Sequence, residues 1–172
     1  IDAARRAGVR RPASIVLPMP LRFPLTATDT PSTPEKIAGI HADPGFGVYF
    51  TDHMAVATWR KDGGWSDDAV VPYGPFQLDP STAVLHYAQE VFEGLKAYRH
   101  ADGSIWLFRP ERNAERLNAS ARRLMLPELP VDDFLTSIEE LVTVDAAWVP
   151  YAHGGEASLY LRPFLFANES FL

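Results

Sequence analysis

The chain has 172 residues, 47% of them hydrophobic, which is enough for one ordinary buried core and predicts a single domain. A formal net charge of −6 argues against a phosphate-backbone binder, because nucleic-acid affinity rests on clustered Lys and Arg that release counterions. Cysteine is absent, which excludes a disulfide framework and a thiolate metal site, and His41, His53, His86, His100 and His153 show no ligand spacing.

Seven prolines (12, 18, 20, 24, 31, 34 and 44) crowd the first 44 residues. Proline lacks an amide donor and restrains the residue before it, so 1–44 is expected to be an extended arm on the main body, 45–172. Arg5, Arg6, Arg10 and Arg11 precede the apolar run Ala13–Leu17 and faintly resemble a targeting leader, although Asp2 intrudes; a trimmed or partly ordered arm is expected. That run is cut by Pro18 and Pro20, far short of the ~20 residues a membrane helix needs. No membrane span is expected, and a cytoplasmic setting fits.

From Phe46 onward an antiparallel sheet with two helices is expected. Met54–Trp59 reads as a strand and Asp62-Gly63-Gly64 as the turn after it. Leu85–Tyr98 packs a phenol, aromatics, a lysine and a glycine into one short run, with Gly94 expected to let the backbone turn from helical to extended. Leu95–Arg99 and Ser104–Phe108 form a predicted hairpin around His100-Ala101-Asp102-Gly103.

Pro110 suits a first helical position, and Ala114, Leu117, Ala121 and Leu124 recur at helical spacing, predicting a helix to about Met125. A second begins near Asp132 or Asp133, whose carboxylates can cap free amides. It carries Phe134, Ile138, Leu141 and Val142 on one side and ends near Trp148 and Pro150. Both should cover one sheet face. In Ala157–Phe166, Leu159 and Leu161 alternate with Ser158, Tyr160 and Arg162, so the leucines should pack under the helices. Tyr160 and Arg162 are then either a solvated face or the lining of a cavity. Arg112, Arg116 and Arg123, near Glu111 and Glu115, are likewise either a solvated helix face or an anion site.

Three motifs point further: His86-Tyr87 followed by Val91-Phe92-Glu93-Gly94, then Asn113-x-x-Arg116-Leu117, then Tyr160-Leu161-Arg162-Pro163. From about Pro44 to Leu172 the chain resembles the N-terminal small domain of branched-chain amino acid aminotransferases, pyridoxal 5'-phosphate enzymes of fold type IV. The resemblance implies an α+β domain, mainly antiparallel sheet with two covering helices. It implies reversible amino transfer from leucine, isoleucine or valine to 2-oxoglutarate, giving branched 2-oxo acids and glutamate. Arg116 would hold the cofactor phosphate. Tyr160 and Arg162 would line the substrate pocket, with Phe46, Phe92 and Leu172 as its apolar wall and Lys96 at its edge. Tyr87 would reach a substrate in the neighbouring protomer, which implies a homodimer. The Schiff-base lysine and the glutamate that pairs with the pyridine nitrogen belong, by the same resemblance, to a second domain beyond Leu172, so these 172 residues alone are expected to be inactive. Related fold type IV enzymes, the D-amino acid aminotransferases and aminodeoxychorismate lyases, share the plan; a noncatalytic stand-alone domain is the reading from another class.

Overall fold

Pro34 opens a helix instead of excluding one. In the computed structural model, which describes residues 19–152 and 157–171, helix α1 runs Pro34–Ala42, and the Thr33 side chain accepts from the Lys36 amide at 3.2 Å. A proline in the first turn loses no intrahelical bond, so Thr33-Pro34 is a start signal that a count of prolines overlooks. From Leu21 to Ser32 the chain is tied down by side chains of the body. Asp133 accepts from the Leu21 amide at 3.0 Å, and one Asp68 oxygen accepts from the amides of Arg22 and Phe23 at 2.6 and 2.7 Å. His53 Nε2 accepts from the Thr28 amide at 3.1 Å, and Asp52 accepts from the amide and hydroxyl of Ser32. Leu21 and Phe23 are buried with Val70 in a small core.

Strands β1 (His53–Arg60) and β2 (Gly64–Pro72) form an antiparallel hairpin that turns at Gly64, whose φ of +72° suits glycine. A five-residue helix α2 (Ala83–Tyr87) leads into β3 (Glu90–Phe92), then β4 (Leu95–Arg99) and β5 (Ile105–Leu107). The predicted β4–β5 hairpin is present, with Tyr98 opposite Trp106. Helix α3 (Pro110–Arg123) and helix α4 (Val131–Val144) follow, then a 3-10 turn over Ala146–Trp148, β6 (Leu159–Leu161) and β7 (Phe164–Phe166).

The architecture is α+β with every named strand pair antiparallel, as expected, but the described strands form three small sheets in place of one: β1–β2, β3–β7 and β5–β4–β6. The predicted last strand breaks at Arg162-Pro163. Pro163 has no amide to give a ladder, while its carbonyl accepts from the Glu93 amide at 2.8 Å. Phe92 pairs with Phe164 and Leu95 with Leu161, so the Glu93-Gly94 break between β3 and β4 faces the Arg162-Pro163 break. The candidate site is built at these facing breaks.

The main core joins Ala114, Leu117 and Ala121 of α3 and Phe134, Ile138 and Val142 of α4 to Val91, Leu95, Ala97 and Leu161 of the strands. Two expectations are corrected. Leu124 lies past the end of α3 and is exposed. Asp133 does not cap α4, which follows Pro130 with no side-chain cap, because its carboxylate is occupied by the Leu21 amide.

Candidate active site

Phe92-Glu93-Gly94 gives each of its residues a separate task. The Phe92 ring carries the Arg162 guanidinium, 4.4 Å from its centroid. Glu93, buried to 4% exposure, turns its carboxylate toward α3. Gly94 lies beneath Tyr160: a Cβ there would stand 2.3 Å from the phenol oxygen and 3.0 Å from Cζ. Glycine is needed for this close approach, a correction to the expected backbone hinge. The change from helical to extended chain comes earlier, at Ala88, which ends α2 with φ +50°.

Five of the predicted substrate residues come together here. Arg162 Nε donates to the Tyr160 hydroxyl at 3.2 Å, and the guanidinium also lies 5.4 Å from the Tyr160 ring centroid. Phe46 meets Tyr160 edge-on at 5.4 Å, and Lys96 stands opposite Tyr160 in the β4–β6 register. The strand period accounts for this surface: Leu161 is buried, and Tyr160 and Arg162 point away from the core. The cluster is open, with Phe46 76% and Phe92 59% exposed. Such a surface offers apolar ring faces beside one oriented cation, and so accepts either an aliphatic chain or a carboxylate. Tyr87 lies apart from this cluster, stacked on Phe171 at 6.2 Å. Leu172 is outside the described residues.

Arg116 faces a neighbouring concavity of about 240 Å3 lined by Phe108, Arg109, Arg112, Asn113 and Arg116. The first two turns of α3 supply three of the five lining residues, because Arg116 lies four residues after Arg112 and three after Asn113 and so borders the same helix face. Arg109 precedes the helix with φ +48°, a left-handed conformation uncommon outside glycine. Arg112 donates to Glu115 at 2.7 Å, and Arg116 donates through Nε and Nη2 to the two oxygens of Glu93 at 2.5 and 2.6 Å. Among the described residues Arg109 has no carboxylate within ion-pair distance. Asn113 donates to Glu93 at 2.9 Å and to the Gly94 carbonyl at 3.1 Å. Burial alone would push the Glu93 carboxyl up. The hydrogen bonds from Arg116 and Asn113 outweigh it and hold the group below the usual carboxylate range, while the Glu93 bonds raise Arg116 further.

This donor set fits a phosphate dianion. A guanidinium has five N–H donors, of which Arg116 spends two on Glu93, and Arg109 adds a second cation at the helix N-terminus, where the backbone dipole also favours an anion. Among the described residues no cluster of three metal-ligating side chains occurs, and no described helix is long and apolar enough to cross a membrane. Sequence reasoning singled out Arg116 through its motif and assigned no role to Glu93, Asn113 or Arg109. The available signal was the three-residue spacing of Asn113 and Arg116, which lets both reach one partner.

The fold is that of an aminotransferase small domain. The branched-chain aminotransferase of Thermoproteus uzoniensis, solved with norvaline, superposes with a TM-score of 0.51 at 21% identity, covering 70% of this chain and 35% of that one. No protein-family model matches the chain. By sequence it is 58% identical over 150 residues to the branched-chain-amino-acid aminotransferase of Mycolicibacterium smegmatis, covering 87% of this chain and 40% of that one. It is likewise 58% identical over 139 residues to a probable branched-chain-amino-acid aminotransferase of Streptomyces coelicolor, covering 81% of this chain and 38% of that protein. Over most of its length the chain matches the N-terminal part of branched-chain-amino-acid aminotransferases. It spans about 40% of the length of these relatives.

Proposed function

We propose that these residues form the substrate-pocket half of a pyridoxal phosphate-dependent aminotransferase that moves the amino group of leucine, isoleucine or valine to 2-oxoglutarate. The observation that carries this reading is the Phe92-Glu93-Gly94 segment, which joins an arginine stacked on an aromatic ring to an arginine-lined anion pocket. Bound in the enzyme, pyridoxal phosphate supplies the electron sink for amino exchange.

In this proposal Arg116, assisted by Arg109 and Arg112, holds the cofactor phosphate and fixes one end of the ligand. Phe46, Phe92 and Tyr160 pack against a branched side chain, and Leu172 belongs to the same wall. When 2-oxoglutarate occupies the site, the Arg162 guanidinium pairs with its distal carboxylate. The Tyr160 hydroxyl accepts from Arg162 and lies on Gly94, so it keeps that cation in place whichever substrate is present. Lys96 stands at the pocket edge. Lysine and glutamate for the chemical steps come from a C-terminal domain outside this sequence, and no catalytic residue is assigned here. Tyr87, exposed beside Phe171, is proposed to reach the substrate of a neighbouring protomer in a homodimer. The domain division proposed is an arm, 1–44, and a small domain, 45–172, in a cytoplasmic enzyme; a chain free of cysteine is compatible with that compartment.

The test is an assay of the full-length protein with pyridoxal phosphate and 2-oxoglutarate. Glutamate formation from L-leucine and none from D-alanine is the expected result. Preference for D-alanine, or no amino transfer from any branched-chain substrate, would overturn the reading.

A further inference from the structure

The buried member of the Arg116 ion pair is the carboxylate, an unusual division of burial. Glu93 is 4% exposed while the Arg116 side chain is 68% exposed. Without an anchor, a guanidinium on a solvent-facing stem samples many rotamers, and here it shares a concavity with Arg109 and Arg112, whose positive charges repel it. Glu93 opposes both effects. Its two oxygens hold the Nε and Nη2 edge of Arg116 as a fork. The carboxylate is itself fixed by Asn113 Nδ2, and its backbone amide by the Pro163 carbonyl at 2.8 Å. Nη1 and the remaining Nη2 hydrogen are left for a ligand.

We propose that Glu93 is the positioning residue of the phosphate site: a buried carboxylate that orients Arg116 and thereby increases affinity for the cofactor phosphate. This rests on the assignment of Arg116 to that phosphate. Its consequence runs against simple charge counting. A carboxylate beside an anion site repels the anion, so removing its charge should tighten phosphate binding if Coulomb attraction dominated. If orientation dominates, the same change loosens it.

The experiment measures dissociation constants of pyridoxal phosphate, and of pyridoxal without its phosphate, for the apo form of the full-length protein, by equilibrium dialysis. Glu93→Gln should weaken pyridoxal phosphate roughly tenfold, the scale expected when a charge-assisted fork is lost and arginine rotamers are released, and leave pyridoxal within about twofold. In the Arg116→Ala background the Glu93→Gln effect should vanish, since Glu93 acts through Arg116. Glu93→Asp keeps the charge, withdraws it by one methylene, and serves if the glutamine variant does not fold. It should weaken pyridoxal phosphate about threefold, again sparing pyridoxal. Unchanged or tighter pyridoxal phosphate binding in either variant would overturn the positioning role, as would an equal loss of both ligands. If Arg116→Ala leaves the preference for pyridoxal phosphate over pyridoxal intact, the phosphate assignment itself fails, an outcome distinct from failure of the Glu93 proposal alone.

Discussion

Gly94→Ala tests whether a close approach, and not backbone freedom, demands glycine between β3 and β4. The added Cβ would lie 2.3 Å from the Tyr160 oxygen, whereas ordinary contact begins near 3.4 Å, so the phenol must retreat by about 1.1 Å. Overpacking a well-filled site costs about 1–3 kcal/mol. Tyr160 is 36% exposed, and its ring can tilt outward, which places this variant near the lower end, at about 1 kcal/mol. The tilt would also separate the hydroxyl from Arg162 Nε. The assay is guanidinium unfolding of Gly94→Ala with Tyr160 intact and with Tyr160→Phe, read from midpoints at constant slope. Because the closest atom is the hydroxyl, Tyr160→Phe should recover at least half of the cost of the alanine. An equal cost in both backgrounds would refute the reasoning and mean that Gly94 is required by its backbone.

Other outcomes follow from the same geometry. Arg162→Ala should raise the KM for 2-oxoglutarate more than that for leucine in the full-length protein, and an equal change in both would contradict the carboxylate role. Phe134→Ala, at a side chain only 1% exposed in the main core, should destabilise by about 3–5 kcal/mol in chemical denaturation. Burial opposes the charged form of Asp68, but the amides of Arg22 and Phe23 outweigh it and hold its carboxyl below the ordinary 3.8. The stabilisation is therefore full above the unfolded value and disappears as pH falls through the depressed folded one. Asp68→Asn should cost about 1 kcal/mol at pH 7 and flatten the acid end of the stability profile, as seen in unfolding midpoints taken from pH 7 down to 3.

How much of this was legible in the sequence depends on how local each signal is. The β4–β5 hairpin and α3 depend on neighbouring residues: a four-residue turn ending in Gly103, and Pro110 followed by apolar residues at helical spacing. The outward placement of Tyr160 and Arg162 was legible because a period of two holds even over a three-residue strand. Division into three sheets was not, since it depends on pairings such as Phe92 with Phe164, more than seventy residues apart. Asp133 shows a different failure. Two carboxylates at a helix start look like caps, and only the folded arm reveals that Leu21 takes one of them. Arg116 could be singled out only through its motif, because arginines on a helix with glutamates nearby usually form a solvated face. Glu93 gave no local sign, since its partners lie twenty and twenty-three residues away on another element.

If these residues are the pocket half of an aminotransferase whose cofactor lysine lies elsewhere, the decisive observation is which lysine carries the cofactor. Borohydride reduction of the full-length protein with pyridoxal phosphate, followed by peptide mass mapping, marks whichever lysine binds the cofactor covalently. One pyridoxyl adduct is expected on a lysine beyond residue 172 and none on Lys36, Lys61 or Lys96, the only lysines in this sequence. An adduct on any of those three, or no adduct at all, would contradict that reading.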